Sequence, residues 1–225
     1  MKKLLFIALF FASVVAFAQQ SPQSLVTVTG EGTVNVVPDK VLIRARVEHT
    51  GKSAAEVKKQ NDSVVDQVIK YLKSQGIESR NFQTEYINLN KDFNYNTKET
   101  FYSANQAISI QLKDLNKYET VMTGLLESGL NRIDGIQFQT SKKEELESQA
   151  RKLAVLDAQK KAREYAEALG QEIGKARSIS EMQSGNFPPQ YRVMEMQSSE
   201  SEEKESIAPG EMDITVKVNV GFQLL

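Results

Sequence analysis

The stretch Glu211-Met212-Asp213-Ile214-Thr215-Val216-Lys217-Val218-Asn219-Val220-Gly221-Phe222-Gln223-Leu224 carries the clearest structural signal in the chain. Met212, Ile214, Val216, Val218, Val220, Phe222 and Leu224 share one parity, while Glu211, Asp213, Thr215, Lys217 and Asn219 share the other. Successive side chains of a strand point to opposite faces, so this alternation predicts a half-buried strand, with the chain ending inside a sheet. Pro209-Gly210 supplies the turn that opens it. Before that turn, residues 183–209 change composition. Pro188-Pro189 and the run Ser198-Ser199-Glu200-Ser201-Glu202-Glu203 offer little apolar surface to bury, so the segment reads as a long mobile loop.

Further upstream the period switches to that of a helix. Ser141-Lys142-Lys143-Glu144 has the form of a capping box, and the helix it opens carries Leu146, Ala150, Leu153, Ala158, Ala162, Tyr165 and Leu169 as its predicted stripe. So many alanines imply close approach to a sheet or to another helix. Gly170 stops this helix, and Ile179 marks a weaker strand after it. Two shorter helices precede it. One is opened by the capping box Ser53-Ala54-Ala55-Glu56, shows Val57, Val64, Val65, Val68, Ile69 and Leu72 on one face, and ends at Gly76-Ile77. The other is capped by Asp114, with Leu115, Tyr118, Met122 and Leu125 facing inward and Gly129 closing it.

Strands fill the remainder. Val26, Val28, Val34 and Val36 form one, interrupted at Gly30-Glu31-Gly32 by a bulge or a close backbone approach. After Pro38-Asp39, Val41, Ile43, Ala45 and Val47 alternate with Arg44, Arg46 and Glu48, which predicts a β-hairpin with one wet face. Phe82, Thr84 and Tyr86 begin another strand. Residues 90–99 read as a polar hairpin loop bearing exposed Phe93 and Tyr95. Tyr102, Ala104, Gln106, Ile108, Ile110 and Leu112 line the return strand, and Ile133, Ile136 and Phe138 form a short one. The order β-β-α-β-β-α-β-α-β-loop-β implies an α+β protein, with helices packed on a mostly antiparallel sheet in two small interleaved subdomains.

The chain starts as an export signal. Met1-Lys2-Lys3 is positive, Leu4 to Phe17 is apolar apart from Ser13, and Ala16-Phe17-Ala18 gives the small-x-small pattern of a cleavage site. Residues 1–18 therefore read as a signal peptide cleaved after Ala18, leaving a domain over residues 19–225 and a periplasmic, soluble product. The apolar run is short for a membrane span, no cysteine sits at the cleavage point for lipid attachment, and no later segment is apolar enough to cross a bilayer. Removing the leader takes two lysines from 28 basic side chains against 29 acidic ones, a net charge of −3 with no basic cluster, which argues against nucleic-acid partners. With no cysteine in the chain, disulfides, zinc–thiolate sites and thiol chemistry are excluded.

Catalytic patterns do not assemble. Gly51-Lys52-Ser53 resembles the tail of a phosphate-binding loop, but Arg46 stands where that loop needs its first glycine. Gly30-x-Gly32 lacks its third glycine, where Asn35 stands, and strand follows instead of helix. His49, the single histidine, has no nucleophile elbow near it and reads as a solvated turn residue. Glu144-Glu145 suits a helix start electrostatically, and Glu202-Glu203 lies in the loop. Met182, Met194 and Met196 could absorb oxidants but read better as a strand edge covered in an assembly. The expectation is therefore no catalytic, cofactor-binding or metal-ligating residue, no cofactor, and no enzyme.

In sequence order, Val28-Thr29-Gly30-Glu31-Gly32, Pro38-Asp39, Gly76-Ile77, Phe82-Gln83-Thr84, Tyr102-Ser103-Ala104-Asn105, Ile133-x-x-Ile136-x-Phe138, Lys160 through Ala166 with Leu169-Gly170, and Pro209-Gly210-Glu211 resemble the SIMPL-domain family of bacterial envelope proteins. The match runs from about Val26 to Leu224. The resemblance implies a periplasmic or secreted α+β protein linked to oxidative-stress tolerance, with a ring-like, channel-shaped homo-oligomer in at least one member, and it brings no catalytic motif. The leading expectation is thus a non-enzymatic, self-assembling periplasmic protein. The alternative is a binding module that holds a small ligand or an outer-membrane partner through loops 90–99 and 183–209. A carboxylate-based hydrolase ranks last.

Overall fold

The computed structural model describes residues 24–182, 191–192 and 209–225. The elements are β1 (Leu25–Val36), β2 (Lys40–Gly51), α1 (Ala54–Ser74), β3 (Phe82–Asn94), β4 (Glu99–Leu112), α2 (Tyr118–Glu127), β5 (Arg132–Gln139), α3 (Lys143–Ala168), β6 (Ile173–Met182), β7 (Tyr191–Arg192) and β8 (Glu211–Leu224). This is the expected α+β class, with two antiparallel sheets in place of one. The chain forms two units, each assembled from separated segments: one from β1, α3, β6 and most of β8, the other from β2 to β5 with α1 and α2. The signal-peptide reading falls on residues outside the described ones, as do Glu202, Glu203, Met194 and Met196. So does most of 183–209, although Tyr191 and Arg192 pair with Met212 and Glu211.

In the first unit β8 is the middle strand of the order β1-β8-β6, as its alternation requires. Val216, Val218, Val220 and Phe222 are buried with Val28, Ala150, Ala154, Ala158 and Ala162. The hydroxyl of Thr29 donates to Asn219 at 2.7 Å, the hydroxyls of Thr33 and Thr215 meet at 3.0 Å, and the Leu224 amide donates to the Ser24 carbonyl at 2.9 Å. One index rises as its partner falls, so β1 runs antiparallel to β8.

Gly30 and Gly32 mark a close backbone approach, not a bulge. A Cβ on Gly30 would sit 2.0 Å from the Ala154 carbonyl oxygen, and one on Gly32 would sit 2.1 Å from that of Ala150. The helix backbone thus lies on the strand backbone. This contact corrects the predicted helix stripe: the buried residues are Leu146, Ala150, Ala154, Ala158, Ala162 and Ala166, at every fourth position. Leu153, Tyr165 and Leu169 are 45%, 59% and 67% exposed, because their side chains are too long for that gap. Beside the contact, the Glu31 amide donates to Asp157 at 2.9 Å and Lys161 donates to the Thr29 carbonyl at 3.1 Å. The Lys161 ammonium, 2.6 Å from Asp157, and the Glu31 amide hold the Asp157 carboxyl below the usual carboxylate range.

The second unit is a sheet of order β3-β4-β2-β5 with two helices on one face. Val41, Ile43, Ala45 and Val47 of β2 pack with Ile108, Ile110 and Leu112 of β4 against Val65, Val68 and Leu72 of α1 and Val121, Met122 and Leu125 of α2. Ser53 caps α1 by accepting from the Glu56 amide at 3.5 Å. Gly76, at φ 74°, ends it, letting the Ile77 amide reach the Leu72 carbonyl at 3.1 Å.

Three sequence readings are corrected here. β1 and β2 do not form a hairpin, since they belong to different sheets. Pro38 has no amide to donate, the Asp39 amide donates instead to Gln139 at 3.1 Å, and the chain then follows β5. The Asp39 carboxylate also takes the amide and hydroxyl of Ser141, so Ser141 is drawn away from capping α3. Burial opposes ionisation of Asp39, but those two hydrogen bonds outweigh it and its carboxyl sits below the usual range. Finally, residues 90–94 belong to β3, and the loop shortens to residues 95–98, where Asn94 accepts from the Asn96 and Thr97 amides.

In β5 the register against β2 skips a residue between Gly135, opposite Arg44, and Ile133, opposite Ala45. The skipped residue, Asp134, takes both arms of Arg46, at 2.9 and 2.5 Å, with the Arg132 guanidinium 3.4 Å away. The hydrogen bond from Arg46, aided by Arg132, holds Asp134 below the usual carboxylate range.

Two expectations follow. Gly30→Ala should destabilise by about 1–3 kcal/mol or more in urea melts, since backbone must move. Gly135→Ala, with open space around its Cβ, should stay within about 0.5 kcal/mol of the parent. Asp134→Asn should lose about 1 kcal/mol at pH 7. Because the folded carboxyl is depressed, its contribution is complete above the unfolded value of about 4 and disappears as pH falls through the folded one. Urea melts should therefore show a gap between parent and variant that narrows as the pH is taken down below the unfolded carboxylate value of about 4; a pH-independent gap would contradict this assignment.

Candidate functional site

The end of β2 places neighbouring residues on opposite faces of the second sheet. His49 shares the helix-covered face with Val47, and Glu48 and Thr50 lie on the other. Each face carries a groove.

The first groove, about 480 Å³, lies between β2 and the start of α1 and is lined by His49, Glu56, Lys59, Gln60, Ser63 and Val64. Next to His49 lies Asn61, a buried polar side chain on the helix's apolar stripe. The Asn61 amide donates to the carbonyls of Val47 at 2.8 Å and Ala104 at 3.1 Å, and lies 3.5 Å from His49 Nδ1. Both amide hydrogens go to strand carbonyls, so Asn61 fastens the helix to β2 and β4 together. His49 is consequently a strand residue beside a structural amide, which corrects its reading as a turn residue. The groove offers an imidazole, an ammonium, a carboxylate and a hydroxyl to a small polar ligand. Among the described residues no carboxylate orients the His49 ring, and no hydrogen bond joins it to Ser63, so the relay needed to activate a serine is not assembled.

The second groove, about 320 Å³, is lined by Glu48, Thr50, Asn131 and Arg132. Asn131 acts as one more rung of the β2–β5 ladder: its Oδ1 accepts from the Glu48 amide at 3.0 Å and its Nδ2 donates to the Glu48 carbonyl at 2.7 Å. Arg132 meets the Glu48 carboxylate at 3.3 Å. These charges are already paired with one another.

The remaining candidates are dispersed. Gly51-Lys52-Ser53 does join a strand to a helix, but Ser53 is spent as the cap and Lys52 lies 3.7 Å from Glu99. Glu144 and Glu145 stand in the first turn of α3. Met182 is exposed on β6. Among the described residues no group of three or more His, Cys, Asp or Glu side chains is placed to hold a metal ion, and no helix is long and apolar enough to cross a membrane. Sequence reading passed over Asn61, although its spacing of four from both Val57 and Val65 put it on the buried stripe.

Residues 26–222 match the family model described as SIMPL, protein of unknown function (DUF541). The chain is 28% identical over 229 residues to the 26 kDa periplasmic immunogenic protein of Brucella melitensis, covering 94% of this chain and 91% of that protein. It is 26% identical to the uncharacterized protein YggE of Escherichia coli K12, covering 88% of this chain and 82% of the relative. It is also 31% identical over 160 residues to the interleukin-1 receptor-associated kinase 1-binding protein 1 of Homo sapiens, covering 69% of this chain and 59% of that protein. With the family model spanning both sheets from Val26 in β1 to Phe222 in β8, the chain belongs to the SIMPL family.

Proposed function

We propose that this protein is exported by residues 1–18, cleaved after Ala18, and works in the periplasm as a non-enzymatic, self-associating protein that supports tolerance of oxidative stress. The observation that carries the self-association is the apolar surface left on regular structure. Ile87, Leu89, Leu156, Leu169 and Ile179 are all exposed on strands or at α3, although each belongs to an ordered element or its cap. Of these, Ile87 and Leu89 share one face of the same strand, and neighbouring exposed apolar side chains on a rigid element favour a contact surface. The periplasmic placement draws support from the leader and from the name of the Brucella relative. The stress role rests on the family resemblance.

The second reading is a binding module. The groove of His49, Lys59, Gln60 and Ser63 favours it, together with the segments 90–99 and 183–209. The two readings separate in one experiment. The protein is released from cells by osmotic shock, purified, and measured by light scattering and intact mass. The expected result is a chain beginning at Gln19 in particles several times the monomer mass. A strict monomer at micromolar concentration would overturn self-association, and a monomer that retains a small ligand would support the binding module.

A further inference from the structure

An open sheet edge is a row of unpaired N–H and C=O groups that recruits another strand, and proteins block such edges with charge, bulges, short length or covering side chains. Among the described residues the edges of β1, β6 and β5 are blocked. On β1, Asp157 and Lys161 take the Glu31 amide and the Thr29 carbonyl. On β6, the register against β8 shifts twice, between Ile173 and Ala176 and between Ala176 and Ser178, and Lys175 and Arg177 lie along it. β5 has eight residues, a bulge at Asp134 and the charged pair Arg132 and Asp134.

β3 is different. It is thirteen residues long, and its one register shift lies between Thr84 and Tyr86, so Tyr86 to Asn94 pair with β4 without interruption. Its other edge meets no strand among the described residues. Ile87 and Leu89 are 65% and 45% exposed there, and Tyr86 and Phe93 are exposed as well.

We propose that β3 pairs antiparallel with β3 of a second copy across a two-fold axis at Asn88, which is the midpoint of the strand. This rests on the self-association reading and names the surface that carries it. In that register Ile87 falls opposite Leu89 and Tyr86 opposite Asn90, within the uninterrupted part of the strand, while Glu85, the residue skipped at the register shift and 3.7 Å from Arg44, comes to the side of Lys91. Centring on Leu89 instead sets Ile87 against Lys91 and Tyr86 against Asp92. Centring on Asn90 sets Leu89 against Lys91. Centring on Asn90 does bring Ile87 opposite Phe93, but of the three registers only the one at Asn88 sets no charge opposite an apolar side chain, and it joins two four-stranded sheets into one of eight strands.

The chain contains no cysteine, so a single introduced thiol reports the register directly. Residues directly opposed in an antiparallel pair have Cα atoms roughly 4.5–5.5 Å apart, within disulfide reach. The mature chain carrying Asn88→Cys, mildly oxidised at micromolar concentration, should give at least a tenfold greater yield of disulfide dimer than Ile179→Cys on the blocked β6 edge. Ile87→Lys should leave the circular dichroism unchanged and reduce the particle mass in light scattering. If the parent chain associates while Asn88→Cys cross-links no better than Ile179→Cys and Ile87→Lys keeps the full particle mass, the proposed surface is wrong and self-association stands. If the parent is monomeric, both fail. Cross-linking of Asn88→Cys to a different periplasmic chain in preference to itself would overturn the second copy as the occupant.

Discussion

The contact of α3 with Gly30 and Gly32, backbone against backbone, is the constraint from which the first unit follows. With no side chain between strand and helix, each fourth residue of α3 must be alanine, and five of them from Ala150 to Ala166 are buried. A layer this thin buries little volume per residue. The apolar surface therefore comes from β8, whose Val216, Val218, Val220 and Phe222 meet the helix beside β1. The same closeness brings Asp157 and Lys161 within reach of the β1 edge, so the contact that packs the sheet also closes one side of it.

Polar side chains hold the second unit at the points where local sequence would send the chain elsewhere. Asp39 binds Ser141 and Gln139, which commits the chain after Pro38 to β5. Asn61 spans two strand carbonyls from inside an apolar helix face. Asp134 sits in a bulge and gathers Arg46 and Arg132. In each case one residue answers to a partner far away in the chain, and the pairing decides which strands become neighbours.

That division explains what could be read from the sequence. The alternation of β8 and the Gly76-Ile77 helix end are encoded within a few residues and were legible, while the interruption at Gly30-Glu31-Gly32 was legible only as either a bulge or a close approach. The supposed β1–β2 hairpin was not, because Pro38-Asp39 looks like a local turn until Gln139 and Ser141 are brought beside it. The α3 stripe misled because Leu153, Tyr165 and Leu169 are the larger apolar residues, while the narrow gap over Gly30 and Gly32 selects the smaller ones. Residues 90–94 are polar, and polarity reads as loop although a strand exposed on both faces is equally polar. The groove at His49 joins β2 to α1, and only the packing of those elements brings its lining together.

Among the described residues there are two helix-backed sheets, the edges at β1, β5 and β6 are blocked, and the long edge of β3 meets no strand and carries apolar side chains. An open edge of that length is a hazard in isolation and a joint in an assembly, and this contrast is the centre of the account. Amide hydrogen exchange across a concentration series measures it most directly. Exchange in the Tyr86–Asn90 region of β3 should slow by at least tenfold as concentration rises through the association midpoint, while exchange in β6 stays unchanged. Fast, concentration-independent exchange at β3 in a chain that nonetheless associates would contradict it.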